Sequence, residues 1–122
     1  LTADLRAGTD TPITAALMDD DSLAEAMSKA DIIIHCTPIG MHPKEDVSLV
    51  PAQLFCAGQV VFDVVYNPLE TKLLREAKAA GLQTISGVEM FINQAVLQFE
   101  QFTGIAAPVE VMRQVVMEKL LS

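Results

Sequence analysis

The sequence predicts an α/β fold, a doubly wound parallel sheet followed by C-terminal helices, and three observations point there. Ile32-Ile33-Ile34 and Val60-Val61-Phe62 are continuous apolar runs, the pattern of strands buried on both faces of a parallel sheet. Segments with helical spacing lie between and after these runs. Strand and helix alternate along the whole chain, which is the signature of an α/β class.

The elements follow in order. Ile13 to Leu17 is a weak candidate for a first strand. Asp20-Asp21-Ser22 offers an N-cap for a helix with Leu23, Ala26, Met27 and Ala30 on one face. The Ile32 strand follows and ends before Pro38, and the Val60 strand comes next. Asn67-Pro68-Leu69-Glu70 reads as an N-cap, a proline at the first helical position and a glutamate close to a capping box. That helix carries Leu73, Leu74 and Ala77 and stops at Gly81, a fitting left-handed cap. Leu82 to Ile85 forms a short strand. A helix from Val88 to about Phe102 places Val88, Phe91, Ile92, Ala95, Val96, Phe99 and Phe102 on a wide arc suited to a core. Thr103-Gly104 ends it, and Pro108 opens a last helix with Val109, Met112, Val116 and Leu120 on one stripe. No repeats, linkers or low-complexity segments interrupt this order.

Composition narrows the function. The chain has 122 residues, enough for one domain, and 51% of them are apolar, enough for a core. Its mean hydropathy of +0.36 is high for such a chain and suggests surfaces meant to be covered. A net charge of −8 argues against nucleic acid, since a polyanion needs a basic footprint. No apolar run approaches the ~20 residues of a membrane helix, and no signal peptide is visible. Cys36 and Cys56 do not form a disulfide framework, which favours a reducing, cytoplasmic setting.

In an open parallel sheet, ligands lie outside the carboxyl ends of the strands. Three segments leave strands at that edge: Thr37-Pro38-Ile39-Gly40-Met41, Val64-Val65-Tyr66-Asn67-Pro68 and Ser86-Gly87-Val88-Glu89. Pro38 disfavours a helical conformation at Thr37, and Gly40 and Gly87 let backbone approach a ligand. Tyr66 offers one phenolic hydrogen bond. Gln94, Gln98 and Gln101 form a polar stripe beside the apolar arc of their helix. Taken alone, each residue also fits a bland role: a tight turn, a half-buried tyrosine, a solvated helix edge.

In order and spacing, these segments resemble the C-terminal half of shikimate dehydrogenase, from about residue 30 to residue 107. The resemblance implies a partial Rossmann-like domain over residues 1–107, with the helix of residues 108–122 returning toward a separate substrate domain. It implies NADP as cofactor, with Thr37, Val64 and Gly87 on the cofactor. Shikimate or 3-dehydroshikimate is the implied substrate, with Tyr66 and Gln94 upon it. Glu89 stands where many bacterial relatives have glycine, and His35 stands near a position where relatives carry asparagine. The family's Gly-rich dinucleotide turn and its proton-transferring Lys–Asp pair have no match in this sequence. The expectation is therefore a fragment, inactive alone, with no catalytic residue of its own. It would expose apolar surface and self-associate or form a homodimer. A quinate/shikimate dehydrogenase paralogue and a non-catalytic nucleotide-binding module are the alternatives.

Other clusters carry less. His35, Cys36 and His42 lack the spacing of a zinc site, since adjacent strand residues face opposite ways. Asp19-Asp20-Asp21 lacks a calcium loop and suits helix capping. Cys56 has no partner to activate it as a nucleophile. No metal is expected.

Overall fold

The computed structural model describes residues 1–121; Ser122, the end of the expected 108–122 segment, lies outside the described residues. Its elements are α1 (Thr2–Ala7), α2 (Asp20–Lys29), β1 (Ile32–His35), a 3-10 turn (Ala52–Leu54), β2 (Val60–Asp63), α3 (Lys72–Ala79), β3 (Gln83–Ser86), α4 (Gly87–Thr103) and α5 (Val109–Leu121). The three strands form one parallel sheet in the order β1-β2-β3. Ile34 aligns with Phe62 and Ile85, and His35 aligns with Asp63 and Ser86. The second row lies at the carboxyl edge, where all three strands hand over to their loops.

Side chains alternate across a strand, so Ile33, His35, Val61 and Asp63 share one face. That face is covered. Val61 packs in a core with Met27 of α2, Leu73, Leu74 and Ala77 of α3, Val50 and Leu82. Burying each of the larger aliphatic side chains contributes about 1.5–3 kcal/mol. The opposite face differs from the expectation of two buried faces: Ile32 and Ile34 are 61% and 58% exposed. Their hydrophobicity marks this as a face built for cover, which the described residues do not provide for β1.

Local chemistry explains the boundaries. Asp19, one residue ahead of the expected cap, accepts the Ser22 N–H at 2.8 Å and starts α2. That backbone hydrogen bond also lowers the Asp19 pKa. The helix expected at Pro68 begins four residues later. Thr71 is its N-cap, accepting the Leu74 N–H at 3.3 Å, so residues 67–70 form a connecting loop instead. Gly81 has φ +78, as its capping role requires. Ile13 to Leu17 forms no strand. The sequence pattern also passed over Gln59, which is buried and ties three backbone groups together. Its amide nitrogen donates to the Met27 and Ala30 carbonyls at the end of α2, and its oxygen accepts the Cys56 N–H.

The α4–α5 pair is looser. Gly104, with φ +68, ends α4, and Ala107 N–H donates to Glu100 across the turn. Val109, Met112, Val116 and Leu120 are half-buried on α5, and Arg113 donates twice to Glu89, at 2.6 and 2.9 Å. Of the arc expected on α4, Val88 and Ile92 are buried, whereas Phe102 is 82% exposed.

Candidate functional site

A cleft of about 340 Å³ opens at the carboxyl ends of β1 and β2. Its walls are the loop after β1, with Cys36, Thr37, Pro38, Met41 and His42, and the loop after β2, with Val64, Val65, Tyr66 and Asn67. This is the place where an open α/β sheet binds ligands. The expected cofactor residues Thr37 and Val64 and the expected substrate residue Tyr66 therefore share one cavity. No Lys, Arg, Asp or Glu lines it. Such a wall suits a flat, weakly polar ring better than a diphosphate, which calls for cations or a helix N-terminus.

Gly87, the third expected cofactor residue, does not line the cleft but packs against the loop after β2. A Cβ added there would lie 2.3 Å from the Val64 carbonyl oxygen and 2.6 Å from that of Val65. Only glycine lets the start of α4 press against the loop leaving β2. Val64 and Gly87, two of the expected cofactor residues, are thereby in direct backbone contact. Ser86, the N-cap of α4, donates to the Leu69 carbonyl at 3.0 Å and fixes the same junction from the other side. In the loop after β1, Gly40 takes φ +83 with its Cα facing the Val47 carbonyl, a turn closed to other residues.

The Tyr66 ring stacks on Phe91 of α4, with centroids 4.5 Å apart and planes 21° from parallel. Tyr66 and Phe91 also border a second apolar hollow of about 260 Å³ with Val115, Val116, Lys119 and Leu120 of α5. Gln94 lies on α4 three residues beyond Phe91 and is exposed. Helical spacing puts it beside the stack without making it part of either wall. His42, on the lip of the cleft, has its Nδ1 2.7 Å from Glu45 Oε1 and is largely exposed.

The best-ordered polar chemistry sits under the cleft, and the sequence reading missed most of it. Asp63 is fully buried and takes three hydrogen bonds. Val65 N–H donates to its Oδ1 at 2.9 Å, Thr71 Oγ1 donates to its Oδ2 at 2.6 Å, and His35 Nδ1 lies 3.0 Å from Oδ1. His35 Nε2 in turn is 2.5 Å from Thr37 Oγ1, which accepts the Ile39 N–H at 3.3 Å. Among the described residues, no buried polar side-chain atom lacks a partner. A signal was available: an aspartate ending an apolar strand is costly to bury and so announces a network. Also among the described residues, no group of three or more His, Cys, Asp or Glu could hold a metal ion.

Known proteins share this geometry and sequence. The family described as Shikimate 5'-dehydrogenase C-terminal domain matches residues 87–117. A shikimate dehydrogenase (NADP(+)) of Methanosarcina acetivorans is 48% identical over 98 residues, covering 80% of this chain and 35% of that protein. The solved shikimate 5-dehydrogenase of Listeria monocytogenes, in complex with shikimate and NAD, superposes with a TM-score of 0.86 at 29% identity. That match covers 94% of this chain and 40% of the Listeria chain. The enzyme of Thermus thermophilus, solved with NADP(H) and shikimate, gives a TM-score of 0.71 at 33% identity, over 79% of this chain and 36% of its own. The chain thus spans about a third of the length of the curated relatives it matches.

Proposed function

We propose that this chain, which matches the C-terminal part of shikimate dehydrogenases, forms the nicotinamide side of the active cleft in an NADP-dependent reductase of 3-dehydroshikimate. The observation that carries this reading is the cleft itself. It joins Thr37, Val64 and Tyr66 at the carboxyl edge of a parallel sheet, and Gly87 presses on the Val64 carbonyl behind it. NADP, when bound, supplies the hydride donor or acceptor. The chain's residues supply shape: Val64, backed by Gly87, forms a close-packed wall for the ring, and Thr37 forms the opposite wall. Tyr66, held by Phe91, and Gln94, one helical turn away, face the substrate with a phenol and an amide for its carboxylate and hydroxyls.

Removal of the alcohol proton needs a base within hydrogen-bond reach of the substrate oxygen. None of the lining residues is a Lys or a carboxylate, and His42 is turned to Glu45. We assign no catalytic residue within the chain, which accordingly is inactive by itself. The two free cysteines suit a reducing cytoplasm. The exposed Ile32 and Ile34 favour self-association of the isolated chain.

The test is a titration with NADP+ and with shikimate, followed by an assay for shikimate-dependent NADP+ reduction. The expected result is binding with no turnover. Turnover by this polypeptide would overturn the assignment of chemistry, and absence of NADP+ binding would overturn the cleft.

A further inference from the structure

We propose that His35 is a positioning residue, and that Thr37 shapes the cleft through His35 instead of bonding the cofactor. The inference rests on the reading of the cleft as the cofactor site. Its basis is the direction of the hydrogen bonds. Asp63 already accepts from Val65 N–H and Thr71 O–H, so it stands as an acceptor toward His35 Nδ1 as well. A neutral ring that donates from Nδ1 presents Nε2 as a lone pair. The Thr37 hydroxyl, 2.5 Å away, then donates to Nε2 and accepts from the Ile39 N–H. Its single proton is used inside the protein.

The chain of bonds therefore runs from the α3 N-cap Thr71 through Asp63 and His35 to Thr37 and Ile39. It crosses from β2 to β1 at their last aligned pair, His35 opposite Asp63. His35 and Asp63 are both buried, so water does not compete for these bonds. The loop that walls the cleft is thereby referenced to the sheet and to α3, not to its own exposed residues. A side chain without a second polar nitrogen at this distance would leave Thr37 free to rotate.

A double-mutant cycle on NADP+ affinity tests the proposal. The set is the unaltered protein, His35→Asn, Thr37→Val and both together. Asparagine can still meet Asp63 but is too short to reach Thr37, so the fold is kept while the link is cut. Each single change is expected to weaken NADP+ binding about 3- to 10-fold, the range of one hydrogen bond, and the double change no more than the worse single. Multiplying effects would mean that Thr37 contacts the cofactor directly and would overturn the proposal. Two neutral singles would overturn it equally.

Long-range nitrogen NMR of the imidazole gives a readout that does not need cofactor. The ring proton is expected on Nδ1, with the Nε2 resonance moving in Thr37→Val and returning in Thr37→Ser. The Ile39 and Gly40 amides should shift in both Thr37→Val and His35→Asn. A proton on Nε2, or loop amides that stay in place in both variants, sinks the proposal. If the unaltered protein fails to bind NADP+ while these spectra behave as expected, the cleft reading falls and the positioning role of His35 stands.

Discussion

The sheet edge and the α4–α5 pair are held by different physics. At the sheet edge, a fully buried aspartate collects three partners and sits beside a packed aliphatic core. Between α4 and α5, the Glu89–Arg113 pair lies partly in solvent, while Val111, Val115 and Phe102 remain exposed. Buried hydrogen bonds are costly to lose because the abandoned partner cannot turn to water. Exposed ion pairs are cheap to lose because it can. Rigidity is therefore stored beneath the wall of the cleft, and much less between α4 and α5.

Substitutions should rank accordingly. Asp63→Ala strands His35, Thr71 and the Val65 N–H together, each at about 1–3 kcal/mol, and should lower stability by roughly 3 kcal/mol or more in a denaturant melt. A loss below about 1 kcal/mol would erase the contrast between the two regions. Gly87→Ala forces a Cβ into the Val64 and Val65 carbonyls and should cost roughly 1–3 kcal/mol of strain while displacing the cleft wall. Retained stability together with retained NADP+ affinity would show that this junction yields easily. Gln94→Ala should weaken shikimate binding by about 1 kcal/mol in calorimetry, with the fold intact. Gln98→Ala, one helical turn on, is the matched control, and equal effects would make Gln94 mere helix surface.

The smallest effect belongs to pH. Hydrogen bonding to Arg113 lowers the Glu89 pKa in the folded chain below its usual 4.5. A depressed folded pKa means the pair's contribution is fully present above the usual value and is lost as pH falls through the folded pKa. Both groups are partly in solvent, so screening keeps the contribution small. Glu89→Gln should therefore lower stability slightly at neutral pH and converge with the unaltered chain as pH falls through the folded pKa. A large loss at neutral pH would mean the α4–α5 pair is as rigid as the sheet edge.

Much of this was legible in the sequence because it is written locally. Continuous Ile and Val runs marked two strands, Gly81 and Gly104 marked helix ends, and three strand exits marked the edge where a site belongs. The displaced start of α3 was harder. Thr71 wins the cap because its hydroxyl also serves Asp63, eight residues earlier in sequence, a tertiary bond no local pattern encodes. His35 shows no partner in the sequence for the same reason: Asp63 stands 28 residues on, and only strand register brings them together. The exposure of Ile32 and Ile34 was equally hidden, since hydrophobicity records that a face is to be covered and not which segment covers it.

In the proposed function, the cleft between the loops after β1 and β2 receives the nicotinamide end of the cofactor. Amide NMR during titration with NADP+ and, separately, with nicotinamide mononucleotide tests it most directly. Both ligands are expected to shift the resonances of Thr37, Gly40, Val64, Tyr66 and Gly87 and to leave the exposed face of α5 unmoved. Shifts confined to α5, or none at millimolar ligand, would contradict it.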